Sequence, residues 1–239
     1  MTGLVLSRER VSWLLERGGF VKIDGLREPD HAAVAASAGA DAIGFIFAPA
    51  RRQVTPDVAR RCIEAARQAS PDRQIIAVGV FVDADTGEID AVARETGLDL
   101  VQLHGDETPD VVGTLHVPAI KALRPRPGAT GATVLAEIER FRSASVPPIA
   151  FLIDGFSERG AGGTGARADW NLVASIGRDA GVILAGGLDP ENVAAAIGQV
   201  RPLGMDVSSG VEIAGVKDAG RITAFVQAAR AAFRQQVSA

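Results

Sequence analysis

Runs of apolar, often β-branched residues alternate along the chain with segments whose apolar positions recur every three or four residues. The runs fall at 21–24, 42–47, 75–82, 98–104, 119–123, 149–154, 182–185 and 204–208. Several are almost continuously apolar, as expected of parallel strands covered on both faces. Between them, Val58, Cys62, Ala65, Ala66 and Ala69 make one helical stripe, and Ile89, Val92, Ala93 and Thr96 a second. Val193, Ile197 and Val200 line a third, and Ile222, Phe225, Val226, Ala229 and Phe233 a fourth. Thr55-Pro56 and Asp189-Pro190 each read as an N-cap followed by a first-turn proline. Eight strands alternating with eight helices over about 215 residues predict an α/β fold, a single-domain (β/α)8 barrel of the TIM type. An open doubly wound sheet is the competing arrangement. Residues 1–20 form an N-terminal extension outside the pattern, and 21–239 form the barrel. In the extension, Val11, Leu14 and Leu15 suggest a short helix stopped by Gly18-Gly19, either covering one barrel end or hanging as a mobile appendage.

Composition narrows the class. At 239 residues, 47% hydrophobic and 23% charged, the chain carries enough apolar surface for a large core and is not a disordered sequence. Lys+Arg 25 against Asp+Glu 29 leaves a net charge of -4, and no long basic run occurs, so no nucleic-acid partner is expected. The lone cysteine, Cys62, can form neither an internal disulfide nor a cysteine zinc cluster and reads as a helix-face core residue. No apolar stretch approaches about 18 residues, and the first twenty residues lack the apolar core of a signal peptide. The expectation is a soluble cytoplasmic protein with no membrane partner, acting as a monomer or homodimer.

In such a barrel the loops after the strand C-termini form the active face, and side chains alternate between barrel interior and helix layer. Val21 and Ile23 suit the helix layer, which turns Lys22 and Asp24 inward. Ile149, Phe151 and Ile153 do the same and leave Asp154 inward at the strand end. Val101 and Leu103 face out, so Gln102 and His104 face in; the eighth strand offers Asp206 and Ser208. Two rim aspartates in an apolar barrel form an acid/base pair if one raises the pKa of the other, or they only cap neighbouring loops. Lys22 and Lys121 read as interior structural charges, with Lys22 one rung below Asp24 and able to tune it. His31 and His116 read as surface residues. Ala-Gly-Gly at 185–187 and Ser-Ser-Gly at 208–210 end the seventh and eighth strands, where barrels of this type bind phosphate; Gly162-Gly163-Thr164-Gly165 follows the sixth. Each cluster alone is also an ordinary turn signal, but together they point to a phosphate-bearing small molecule.

Across about residues 21–235 the chain resembles phosphoribosylanthranilate isomerase of tryptophan biosynthesis, in blocks that keep their order. They are VKIDGL (21–26), AGADAIGFIF (38–47), GVFVD (79–83), VQLHGDE (101–107), GGTG (162–165) with DW (169–170), LAGGLDPENV (184–193) and DVSSGVE (206–212). The resemblance implies an Amadori rearrangement of N-(5-phosphoribosyl)anthranilate to 1-(2-carboxyphenylamino)-1-deoxyribulose 5-phosphate, without metal or organic cofactor. It carries the general acid onto Asp154, the carboxylate-gripping arginine onto Arg52, and the phosphate onto Gly186, Gly187, Ser209 and Gly210. His104 and Asp206 are assigned to substrate binding.

One departure touches the chemistry. The family's first strand normally reads Lys-Ile-Cys-Gly, with the cysteine as general base, and here that position is Asp24. A carboxylate can remove a Schiff-base-activated C–H proton if burial and Asp154 raise its pKa. The related isomerase of histidine biosynthesis uses two aspartates for the same rearrangement, but its bisphosphate substrate requires a phosphate site in each half, and only the C-terminal half here has the glycine pair. The loop carrying Arg51-Arg52 is one residue short, which makes Arg51 an alternative to Arg52. The segment 213–215 is shortened and lacks a proline, and Ala168 replaces an aromatic residue. Three readings follow: this isomerase with an Asp24/Asp154 base and acid; a paralogue acting on another aminosugar phosphate; or a silent phosphate-ligand-binding barrel.

Overall fold

The computed structural model describes residues 18–155, 168–176 and 180–237. Eight parallel strands close into a barrel: β1 Phe20–Ile23, β2 Ala42–Ile46, β3 Ile76–Phe81, β4 Leu100–Leu103, β5 Ala119–Leu123, β6 Ala150–Ile153, β7 Val182–Leu184 and β8 Gly204–Val207. Closure comes from β1 pairing with β8, Lys22 opposite Asp206. Among the described residues the outer layer holds α1 Pro29–Ala38, α2 Pro56–Ala69, α3 Thr86–Thr96, α4 Pro109–Thr114, α5 Gly131–Arg142, α6 Trp170–Ser175, α7 Val193–Val200 and α8 Ala219–Val237. After β8 the chain makes a 3₁₀ turn, Ser209–Val211, and a hairpin of β9 Glu212–Ile213 with β10 Val216–Lys217. The short helix expected on Val11, Leu14 and Leu15 lies outside the described residues, as does Gly162-Gly163-Thr164-Gly165.

The two-residue alternation places side chains as the apolar pattern predicts. Phe20, Ala42, Ile76, Val78, Leu100, Ile120, Ala122, Ala150, Leu152 and Ile183 fill the barrel interior. Val21, Ile23, Val101, Leu103, Phe151 and Ile153 pack outward against the helices. Cys62 is buried on the inner face of α2, which starts at the expected Thr55 cap. His116 is exposed, and His31 is half-buried beside Glu28.

Three expectations change. Ile149 packs at the foot of the interior cluster, because it precedes β6 and the alternation does not yet hold there. Asp189-Pro190 opens a turn rather than a helix: Asp189 Oδ1 and Asn192 Oδ1 each accept the other residue's backbone N–H, at 2.7 and 3.0 Å, and α7 begins only at Val193. Lys121 is buried but on the outer side of β5, since Ile120 and Ala122 take the interior. There its Nζ binds Glu107 Oε2 at 2.8 Å and the Gly105 carbonyl at 2.7 Å, and lies 5.9 Å over the Phe141 ring.

Candidate active site

Asp24, His104 and Asp154 lie one residue beyond the last strand residues of β1, β4 and β6, yet ladder-like bonds still hold their backbones. Asp24 N–H donates to Val207 O (2.8 Å), His104 N–H to Phe81 O (2.8 Å) and Asp154 N–H to Leu123 O (3.0 Å). The three side chains are therefore carried on rigid strand ends at the C-terminal face.

Below them Lys22 is fully buried. Three oxygens surround its Nζ: Asp24 Oδ1 at 3.0 Å, Gln102 Oε1 at 3.0 Å and Asp206 Oδ1 at 3.2 Å. The ammonium forms an ion pair with Asp24, whose Oδ1 is fully buried and takes no other donor among the described residues. That oxygen packs over Gly44 of β2, where an added Cβ would lie 1.8 Å from it. Glycine at 44 is what makes room for the carboxylate.

The condition that burial and Asp154 raise Asp24 is not met. Burial does push it up, but the Lys22 ammonium, with Lys217 behind it, holds Asp24 below the ordinary carboxylate range. The raised group is its neighbour. Burial, with Asp24 and Asp154 nearby, lifts Asp206 to about 7 against the pull of Lys22. Lys22 itself resists burial because both aspartates hold its proton. One cation thus serves two carboxylates, and only one of them is an anion without cost.

On the opposite wall, no lysine or arginine among the described residues pairs with Asp154. Its Oδ1 accepts the Gly155 N–H at 2.8 Å and its Oδ2 lies 3.2 Å from His104 Nε2. Gly186, at φ +86°, lies so close that an added Cβ would stand 2.4 Å from Gly155 N and 2.9 Å from Asp154 Oδ1. Gly187 is also left-handed (φ +65°), and a Cβ on Gly210 would meet Leu188 O at 1.8 Å. Gly186 and Gly210 are therefore sites of close backbone approach. A cavity of about 190 Å³ touches Asp154, Gly155, Ala168 and Leu172. A larger one, about 570 Å³, opens beside β5 at Glu107, Lys121, Arg124 and Arg140, away from Asp24.

Arg52 is buried at the mouth beneath Gly25, whose φ of +69° and missing Cβ leave room for the arginine stem. Its guanidinium meets Glu212 in a fork, Nε to Oε1 at 2.5 Å and Nη2 to Oε2 at 2.9 Å. Arg51 binds the same carboxylate at 2.7 Å while remaining half-exposed. Register in the β9–β10 hairpin sets Lys217 opposite Glu212, 3.3 Å away. Burial raises Glu212, yet Arg52, Arg51 and Lys217 bring it down to about 2; burial lowers Lys217 to about 8. The sequence pattern includes Glu212 without assigning it a role, and Lys217 carries no signal of its own. Gln102 does: a polar side chain at an inward position of an apolar strand.

A family model described as N-(5'phosphoribosyl)anthranilate (PRA) isomerase matches residues 21–228. An N-(5'-phosphoribosyl)anthranilate isomerase of Roseiflexus castenholzii is 45% identical over 218 residues, 90% of this chain and 99% of that one. Its counterpart in Desulforudis audaxviator is 43% identical over 212 residues, covering 89% and 98%. Among solved structures, phosphoribosyl anthranilate isomerase from Thermotoga maritima superposes with a TM-score of 0.73 at 31% identity, over 89% of this chain and 98% of that one. A phosphoribosyl anthranilate isomerase in complex with reduced 1-(o-carboxyphenylamino)-1-deoxyribulose 5-phosphate gives 0.69 at 31% identity, with the same coverage.

Proposed function

The chain belongs to the N-(5'-phosphoribosyl)anthranilate isomerase family of tryptophan biosynthesis, and we propose that Asp24 is the general base and Asp154 the general acid of its Amadori rearrangement. Asp154 gives a proton to the furanose ring oxygen, the C1–O bond breaks, and a Schiff base forms to the anthranilate nitrogen. Asp24 takes the C2 proton, the electron pair moves into the enolamine, and tautomerisation leaves the ketone.

The observation that carries this reading is the state of Asp24: a buried carboxylate at the strand end, kept ionised by the Lys22 ammonium 3.0 Å from its Oδ1. It is ready to accept a proton at neutral pH, though weaker as a base than a carboxylate raised toward 7. Arg52 takes the anthranilate carboxylate, held in place by Glu212. Backbone groups at Gly186, Gly187, Ser209 and Gly210 take the phosphate, and His104 and Asp206 contact the sugar. Among the described residues no helix is long and apolar enough to cross a membrane; we assign the reaction to the cytoplasm, with the chain acting as a monomer or homodimer on a small phosphorylated substrate.

The test is steady-state turnover of freshly generated phosphoribosylanthranilate, followed by loss of its fluorescence. The parent turns over efficiently, and Asp24→Asn loses about 10²–10⁴-fold in kcat, the range of general acid–base catalysis. A parent without turnover that still binds phosphate would return the barrel to the paralogue or silent-binder readings.

A further inference from the structure

Lys22, Gln102, His104 and Asp154 form one hydrogen-bonded line across the barrel. The donor inventory dictates its direction. An ammonium only donates, so Gln102 Oε1, 3.0 Å from Lys22 Nζ, accepts, and the amide orientation is set. Its Nε2 then faces His104 Nδ1 at 2.8 Å. An amide nitrogen also only donates, so Nδ1 accepts and carries no proton. A neutral imidazole bound in this way holds its proton on Nε2, 3.2 Å from Asp154 Oδ2.

We propose that Gln102 is a positioning residue that locks His104 in its Nε2–H tautomer, and that this N–H aims Asp154 and receives the charge Asp154 acquires on giving up its proton. The proposal rests on the assignment of Asp154 as the acid. Protonated Asp154 accepts an ordinary hydrogen bond from His104; the carboxylate left after proton donation accepts a charge-assisted one, about twice as strong. The Gly155 N–H at 2.8 Å on the other oxygen acts in the same sense. Both interactions strengthen as the reaction proceeds, which is the condition for lowering its barrier. The anchor of the line is the ammonium that keeps Asp24 ionised, so a single buried cation sets both the charge of the base and the orientation of the acid. Among the described residues the charged groups near His104 are Asp154, one residue past β6, and Asp24, one residue past β1, and neither supplies a donor to Nδ1. Only Gln102 does.

The chain has three histidines, which makes the tautomer readable by long-range ¹H–¹⁵N spectra of ¹⁵N-histidine-labelled protein, with His104→Asn giving the assignment. The parent, without substrate, shows His104 protonated on Nε2 and bare on Nδ1. Gln102→Glu, nearly isosteric, replaces the donor with an acceptor. It brings a proton onto Nδ1 and lowers kcat about 100-fold, as for a misaimed reacting group, while KM moves less than about threefold. An Nδ1–H tautomer in the parent, an unchanged His104 in Gln102→Glu, or a changed His104 with intact kcat would each overturn the proposal. If Gln102→Glu does not fold, the parent spectrum decides alone. Asp154→Asn separates the two levels: retained turnover removes the acid assignment, whereas the tautomer, read on the resting protein, does not depend on it.

Discussion

The two ends of the barrel use aspartate in opposite ways. At the N-terminal end, Asp41 and Asp99 each precede a strand and reach sideways to its neighbour. Asp41 Oδ2 accepts the Val21 N–H at 2.8 Å and an Arg230 N–H at 2.5 Å; Asp99 Oδ2 accepts the Ala77 N–H at 2.9 Å and an Arg67 N–H at 3.1 Å. Each carboxylate joins a strand to a helix-borne guanidinium through directed donors, so it acts as a clamp. At the C-terminal end the partners are different. Among the described residues Asp24 is held by the Lys22 ammonium at 3.0 Å but by no backbone N–H, and Asp154 meets the Gly155 N–H at 2.8 Å and His104 Nε2 at 3.2 Å. A carboxylate whose lone pairs are filled by charged, aligned donors stabilises; one left partly unfilled remains able to exchange a proton. Residue type does not separate the two uses, but donor geometry does.

Lys22 tests that contrast hardest, because it stands near the C-terminal end with the connections of a clamp. Lys22→Met leaves Asp24 and Asp206 facing each other without their cation. We expect a loss of about 3–5 kcal/mol in urea unfolding at pH 7, the cost of uncompensated buried charge. Asp24 rises toward the range of Asp206, and the acidic limb of the pH–rate profile moves up with it. A stability unchanged from the parent would mean the ammonium is not what holds these carboxylates.

Asp99→Asn probes the other end. The amide oxygen still accepts from Ala77, but the charge that meets Arg67 is gone, and unfolding becomes easier by about 1–2 kcal/mol. Because the change lies at the far end of the barrel, kcat stays within about twofold of the parent. A large fall in kcat with stability intact would erase the division between the two ends.

The smallest effect is a slope. Asp206 titrates near 7 in the folded chain and near 3.8 when unfolded. Below about pH 4 both states hold the proton; between about 4 and 7 only the folded state does; above 7 neither does. Stability from this group therefore falls as pH rises through the window and levels off beyond it, by about 1 kcal/mol between pH 6 and pH 7. Asp206→Asn removes that decline. A parent whose unfolding midpoint, corrected with this variant, shows no Asp206-dependent slope would mean that Asp206 is not raised in the folded chain.

Much of this molecule is legible along the chain because the information is local. A run such as Ile76–Phe81 is a strand through β-branched and apolar composition, and the two-residue alternation turns Lys22, Gln102 and Asp24 inward before any contact is known. The rim positions of Asp24, His104 and Asp154 follow from the same parity, as does the placement of Gly186-Gly187 and Ser209-Gly210 after the last two strands. Charge state and partnership are not local. Lys22 meets Gln102 eighty positions away and Asp206 one hundred and eighty-four away, and only barrel closure through β1 and β8 makes the second pair neighbours. For that reason Lys22 holds Asp24 down, where the sequence leaves a rise open, and Glu212 emerges as the support of Arg52. Periodicity tells which face a side chain takes. What that side chain can do with a proton depends on the atoms within about 3 Å of it, and those are assembled only when the chain closes.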